Sequence, residues 1–575
     1  MKDPAWPEDG GSYGPFTTHR PNRDRAWLWV YLAFVAATVA WGGYGVYARN
    51  PKFTDLATPD YLNDPANCPV GSRRSLLEAA GEPSDDDFDY PKYIKEGAVW
   101  LLASLVGALV IGAFWVTLFK SHARRMISVA VGVQVAIPAA VGISLLMGGA
   151  AVPGLIMCAF AMIMAACFYS IRDRLDYTAS MLRVSAKGLN DNTPLVWFVI
   201  LSNVVLGVAS IPGFALMAVA YMNGHVVPVE GRVEQDGICV APPSDDGPAS
   251  GLLGKHAHDD PSEPSGPQVP CCAWRPDDWV PAYWALAGLT LLWTSWVFSQ
   301  LRIFVVSGTV SQWYFAPAHI TGASSARVKR SLGHALGPSA GSLCFGAAIM
   351  TVVDLVRQSI RNARERNRGD GLAQILYCLF LMAAQCLTEL IEYITKYATV
   401  YAAISGDAFL QAGRDIIDLL KRNVLDAFTV WWVPGFVLQM TSLVAAAVWG
   451  VAVGLLAAVR WRGEDGGGAA AIILGVAAGV VALVVLSFLA GLLLNVVDAV
   501  FVCFAIDRDA QVVTQSDVHD VFLGLPVIQG AFVEQPGGDL MFGEQQQGAG
   551  PSGAQGSGYT TLRNEDRTKA PRSPV

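Results

Sequence analysis

The sequence predicts an all-α, polytopic helical membrane protein with about ten transmembrane helices, two large exterior loops and a disordered C-terminal tail. Two observations predict it. Of 575 residues, 53% are hydrophobic and 15% charged, against about 25% charged in ordinary soluble domains, and mean hydropathy is +0.38. The apolar residues also come in unbroken blocks, not at amphipathic spacing, and about 20 such residues suffice for a helix to cross ~30 Å of hydrocarbon. The net charge of −8 falls mainly in loops and tails, and no basic surface suggests nucleic-acid binding.

The first apolar block, 26–47, follows a polar arm (1–25) that ends in Arg20, Arg23 and Arg25. It is too long for a signal-peptide core and is read as a signal anchor. Its arginines place the arm in the cytoplasm by the positive-inside rule. A polar, acidic loop, 49–95, then lies outside. The second span is 97–119, closed by Lys120, His122, Arg124 and Arg125. Segments 126–147 and 152–171 read as a tight hairpin about an uncharged, glycine-rich joint. The span 195–221 leads to a second exterior loop, 222–278, rich in Pro, Gly and Ser and read as mobile, and 283–306 returns inside. Cys68, Cys239, Cys271 and Cys272 fall in these two loops and are disulfide candidates of undetermined pairing. The other six cysteines lie in or beside apolar segments and are expected to act as small buried hydrophobes.

The middle resists simple alternation. Segment 339–356 is apolar, but Arg357, Arg361, Arg364, Arg366 and Arg368 follow it on what alternation makes the exterior side. The next block, 372–404, exceeds the length of one crossing. A helix extending beyond the bilayer, or a half-span within 307–341, would each resolve the conflict. Segments 430–459 and 469–505 are the last two spans. They complete a transmembrane region of 26–507, followed by a cytoplasmic tail, 508–575, that is Gln/Gly/Ser-rich and read as disordered.

Several strings in this half resemble the choline transporter-like family. They are Gly-Thr-Val-Ser-Gln-Trp-Tyr-Phe at 308–315, Ser-Leu-Gly-His at 331–334 leading to Gly-Ser-Leu-Cys-Phe-Gly-Ala at 341–347, Asp-Ala-Phe at 407–409, and Asp-Leu-Leu-Lys-Arg-Asn-Val at 418–424. The closing Val-Asp-Ala-Val-Phe-Val-Cys-Phe at 497–504, with Asp507, is similar to that family's final span. The resemblance implies ten transmembrane helices and movement of choline, or of ethanolamine, across a plasma or organellar membrane. Facilitative or proton-linked alternating access is the expected mode. A channel, and a non-transporting scaffold or trafficking protein, are the competing readings. The shorter first exterior loop and the tail depart from the pattern.

A quaternary ammonium offers no hydrogen bond, so its site calls for aromatic faces and a balancing carboxylate. Glu389, Tyr393, Tyr397 and Tyr401 recur every four residues and form one helical stripe suited to such a cation, or equally to helix packing. Trp313 and Tyr314, in the glycine-led string, are a second candidate, with an interfacial aromatic belt as the plainer reading. Asp354 and Asp498 are ionisable groups within apolar segments, hence coupling-ion or counter-charge candidates. Asp354 lies one turn from Arg357, which suggests an ion pair, whereas Asp498 has no basic neighbour in sequence. Glu392 and Lys396, four apart, read as an intrahelical pair. No nucleotide loop, metal-ligand pattern or cofactor motif stands out. The expected partners are therefore a small organic cation and the lipid bilayer, with no metal, cofactor or nucleic acid and no enzymatic activity.

Overall fold

A computed structural model gives the fold. It describes residues 16–17, 20–56, 90–170, 172–229, 233–235, 238–240, 271–315, 323–366, 372–422, 424–462 and 467–523, and the structural statements below concern these residues. The long helices are α1 (Arg25–Tyr47), α3 (Tyr90–Met147), α4 (Ala151–Ser170), α6 (Pro194–Tyr221), α7 (Val280–Phe315), α9 (Ala340–Arg366), α10 (Leu372–Ser405), α12 (Val424–Arg460) and α13 (Gly467–Asp509), with a single short turn, α2 (Phe53–Leu56), after the first. Among the described residues these account for nine helices long and apolar enough to cross a membrane. The apolar stretch of α3, Val99–Met147, has 49 residues, about 73 Å at the helical rise, which exceeds two bilayer cores. Its backbone leaves helical geometry at His122 (φ −135°, ψ 29°), where the sequence places the break between two spans. Nine helices therefore carry ten membrane-length segments. The chain is a multi-pass helical membrane protein.

Four shorter helices, α5 (Arg172–Asn190), α8 (Ser324–Leu336), α11 (Phe409–Arg422) and α14 (Ser516–Leu523), join these spans. In α11 the buried residues are Phe409, Ala412, Ile416, Leu419 and Leu420. That three-four spacing is one apolar stripe, so the helix lies on the bundle instead of crossing it. The four helices form a layer at one end. Arg327 Nε of α8 donates to Asn192 Oδ1 at 2.9 Å, Lys187 of α5 meets Asp517 of α14 at 3.0 Å, and Arg422 of α11 meets Asp509 at 2.7 Å.

The N-terminal arm docks at the same end. Arg20 donates to the carbonyls of Ala402, Ala403 and Ile404 at 3.2, 2.8 and 3.3 Å, which places a cation on the carbonyls of α10's last turn. Burial pushes its guanidinium down to about 10, with Asp407 opposing the shift. Arg23 N donates to Pro338 O at 3.1 Å, and Asp24 Oδ2 accepts from Ser342 Oγ at 2.6 Å and Phe409 N at 2.9 Å. The start of α9 and the end of α10 thus share one face with the arm.

That placement orients the difficult middle: α9 starts at the arm's end of the bundle, and its far end, where Arg357 to Arg366 lie, points away from the arm. No half-span occurs in the described part of 307–341: α7 continues as helix to Phe315, and α8 has 13 residues, about 20 Å and too short to cross. The long block 372–404 is one helix of 34 residues.

The loop 222–278, read from the sequence as exterior and mobile, is more ordered at its ends than its composition suggests. Strand β1 (Gly224–Val229) pairs antiparallel with β4 (Cys271–Pro276), and β2 (Val233–Gln235) with β3 (Ile238–Val240). Trp274 anchors the first ribbon, its ring 5.0 Å from Phe53 and its Nε1 donating to Tyr221 O at 3.0 Å. Cys68 lies outside the described residues, and so do the side chains of Cys239, Cys271 and Cys272. Of the remaining cysteines only Cys344 and Cys503 are buried; Cys167, Cys378 and Cys386 are exposed, contrary to the reading that all six fill the core. The tail also begins later than 508, since α13 reaches Asp509 and α14 follows it. The segment 524–575 lies outside the described residues.

The core forms where α13 meets α7 and α10. Every residue from Val496 to Ala505 of α13 is buried, as are Ile303 to Ser311 of α7. Beside it, α12 and α13 approach through small residues: a Cβ on Gly475 would lie 2.9 Å from Gly454 Cα and 3.0 Å from Gly450 O. Such close backbone approach is how helices pack where lipid removes the hydrophobic drive between them.

Candidate functional site

Ionisable residues within apolar helices are expensive unless they pair, and those of α9, α10 and α13 pair across helices. On α10, Lys396 forms an ion pair with Asp498 of α13. Asp498 is 1% exposed. Its Oδ1 accepts a 2.9 Å hydrogen bond from Tyr397 Oη, and the rings of Tyr393 and Tyr397 lie 4.6 Å apart. One turn further along α10, Thr399 Oγ1 donates to the buried Gln300 Oε1 of α7 at 2.6 Å.

One turn toward the arginine-rich end is a second polar layer. Arg357 of α9 pairs with Glu392 of α10 and lies 3.7 Å from Asp354. Trp296 Nε1 of α7 donates to the other oxygen of Asp354 at 2.6 Å. The Asp354–Arg357 pair expected from one-turn spacing is present. Glu392 and Lys396 instead take partners on other helices, because side chains on a bundle-facing stripe can reach across to a neighbour. Five ionisable groups thus line the facing surfaces of α9, α10 and α13: three carboxylates and two cations. The neighbouring Arg302 of α7 is held apart, with Nη1 on Asn203 Oδ1 of α6 at 2.6 Å.

The tyrosine stripe divides. Tyr397 is fully buried against Asp498, while Tyr393 and Tyr401 are half-buried against the main core. Glu389, which heads the stripe in sequence, is exposed and accepts from Gln385 at 3.3 Å, one turn beyond Glu392. Residues 389 to 401 span about three turns, so a slowly drifting stripe does not keep all four side chains on one surface.

Trp313 and Tyr314 sit elsewhere. Tyr314 is about 21 Å along α7 from Gln300, at the end where the short helices lie. It is buried and donates to Asp507 Oδ2 at 3.0 Å, and Trp313 Nε1 donates to Asp191 Oδ2 of the α5–α6 turn at 3.2 Å. Asp507 also accepts from Thr514 N and Oγ1, both at 3.0 Å, and faces His519 at 3.4 Å. The glycine-led string is therefore a junction. Gln312 Nε2 reaches Gly308 O at 2.8 Å, Ser331 Oγ at 2.9 Å and Arg327 O at 3.2 Å, and a Cβ on Gly308 would meet Ser331 Oγ at 2.9 Å. The structure brings Tyr393, Tyr397 and Asp498 together and leaves Glu389, Trp313 and Tyr314 apart from them. Trp296 and Gln300, four residues apart in an apolar run, carried the signal for α7's contribution.

The family model described as plasma-membrane choline transporter matches residues 155–509, a stretch that contains both polar layers and the junction around Gln312. This chain belongs to the choline transporter family. Among relatives, a CTL-like protein of Dictyostelium discoideum is 24% identical over 362 residues, 60% of each chain. Choline transporter-like protein 2 of Danio rerio is 26% identical over 161 residues, 28% of this chain and 23% of its own. Protein PNS1 of Saccharomyces cerevisiae is 29% identical over 127 residues, 21% of this chain and 24% of its own. The matches thus span less than two thirds of each of these relatives. The α7 string, the α9 start, the α11 residues and the α13 run that suggested the choline transporter family in the sequence all lie inside the matched region.

Proposed function

We propose that this chain is a carrier for choline or a related small organic cation, ethanolamine included, working by alternating access either facilitatively or linked to protons. The carrying observation is Asp498: a carboxylate deep within α13, bonded by one phenol, with a second aromatic ring beside that phenol. The two polar layers hold three carboxylates against two cations, so one monovalent cation completes the charge balance. Aromatic faces add about 0.5–2 kcal/mol each toward a quaternary ammonium. In this reading Asp498, Tyr393 and Tyr397 contact the cation, and Tyr401 and Asp354 support the helices that present them. Membership of the choline transporter family supports the substrate class.

The test is uptake of labelled choline by purified protein in liposomes, with ethanolamine, betaine and thiamine as competitors. Saturable uptake with counterflow supports a carrier. Sustained, non-saturating current would indicate a pore, and no uptake by folded protein would remove choline as substrate. We also place the arm and the layer of α5, α8, α11 and α14 in the cytoplasm and the loops 49–95 and 222–278 outside, with the plasma membrane as the favoured location. Labelling of cysteines introduced at the exposed positions 22 and 278, in a background without the native cysteines, tests this sidedness in intact cells.

A further inference from the structure

We infer that Lys396 is the empty carrier's own cation: its ammonium holds the seat on Asp498 that the substrate's cationic head takes, and it swings to Glu392 when substrate arrives. This inference rests on the cation-carrier reading above. An isolated carboxylate sealed between helices is strongly disfavoured, so an unloaded site that closes needs a replacement cation. Lys396 supplies one from the same helix that presents the tyrosines, and its side chain is 24% exposed against 2% for Asp498. It therefore approaches the carboxylate from the more open side.

The second carboxylate is already in place. Glu392 lies one turn before Lys396, with Glu on the N-terminal side, the favourable order for an intrahelical pair, and the flexible four-carbon lysine stem covers that step. Glu392 is held by Arg357, but Arg357 also faces Asp354. Released from Glu392, Arg357 keeps a carboxylate partner. In the loaded state the pairs become substrate with Asp498, Lys396 with Glu392, and Arg357 with Asp354, and no charge is left over. In the empty state the surplus negative charge resides in the second layer, where Glu392 is shared with Arg357 and its side chain is 42% exposed. Tyr397 bonds Asp498 Oδ1, the oxygen opposite the one Lys396 meets, so the carboxylate keeps that bond during the exchange. No covalent bond changes; one cation leaves the carboxylate as another arrives.

A lysine in this role makes return of the unloaded carrier independent of a co-transported ion. The experiment compares two modes in proteoliposomes: net choline entry into choline-free vesicles, and exchange with choline on both sides. In Lys396→Met the unloaded return should stall, so the ratio of exchange to net entry should rise about tenfold over wild type, while Lys396→Arg keeps the ratio within about threefold. In Glu392→Gln the ammonium loses its second seat, and KM for choline should rise about tenfold. The second variant leaves the buried pair intact, so it remains informative if Lys396→Met does not fold. Equal effects on both modes in Lys396→Met, or an unchanged KM in Glu392→Gln, would overturn the inference while leaving choline transport itself standing. Absence of uptake by the wild-type protein removes the carrier reading beneath it.

Discussion

The phenol of Tyr397 donates a 2.9 Å hydrogen bond to Asp498 Oδ1, joining α10 to α13 where both side chains are buried. A hydrogen bond to a charged group contributes about 1.5–3 kcal/mol. Tyr397→Phe keeps the ring and loses the donor, so choline kcat/KM should fall about tenfold or more. Tyr393→Phe, which loses the phenol bonded to Tyr397, should lower it less than Tyr397→Phe does, and Tyr393→Ala, which also loses the ring face, should lower it more. Equal uptake by wild type and Tyr397→Phe would count against Asp498 as the cation's seat.

Asp498→Asn removes the buried partner of Lys396 and leaves its ammonium only the more exposed Glu392, one turn away. Breaking a buried pair from one side costs about 3–5 kcal/mol where no second partner is in reach, so thermal unfolding in detergent should shift downward by less than that, and uptake should be lost. The double variant Asp498→Asn with Lys396→Met should recover most of the stability and none of the transport. Stability loss that persists in the double variant would show that Asp498 matters to the fold for another reason.

At the other end, Tyr314→Phe deletes one donor to the buried Asp507, which keeps Thr514 N and Oγ1. A destabilisation of about 1–3 kcal/mol is expected, with KM for choline unchanged because Tyr314 lies about 21 Å along α7 from Gln300. A raised KM with unaltered thermal stability would instead place Tyr314 in the substrate path.

Arg20→Ala should loosen the N-terminal arm, because this one side chain serves three terminal carbonyls of α10. Trypsin should then cut at Arg23 and Arg25 faster than in the wild type, read as the half-time of loss of an N-terminal tag. Unchanged kinetics would mean that Asp24, through Ser342 and Phe409, and the Arg23 backbone on Pro338 hold the arm without Arg20.

Gly475→Leu is expected to abolish accumulation of folded protein, since even a Cβ at that position approaches the Gly454 backbone within 3 Å. Fluorescence-detected size exclusion of a tagged protein gives the readout. A normal monodisperse peak would show that α12 and α13 tolerate separation.

Much of the framework was legible in the sequence. The ten apolar segments reappear as helices, and the strings near Gly308, Gly341, Asp418 and Asp498 marked the family. Legibility failed where two segments had to be matched. Glu392 and Lys396 looked like partners from their spacing, yet each pairs outside its own helix. Trp313 and Tyr314 looked like binding residues, yet their polar atoms bond the α5–α6 turn and Asp507. The β1–β4 ribbon was masked by a composition rich in Pro and Gly, because strand pairing depends on a partner about 45 residues away in sequence.

The sequence by itself determined that the chain spans the membrane repeatedly, because transfer of a segment into hydrocarbon depends on that segment's own side chains and little else. Which charges neutralise one another was decided only by the tertiary structure. Tyr397 and Asp498 are 101 residues apart, and nothing local links α10 to α13. Burial makes pairing obligatory, but packing selects the partner: α10 faces α9 with Glu392 and α13 with Lys396, and so one helix joins both polar layers.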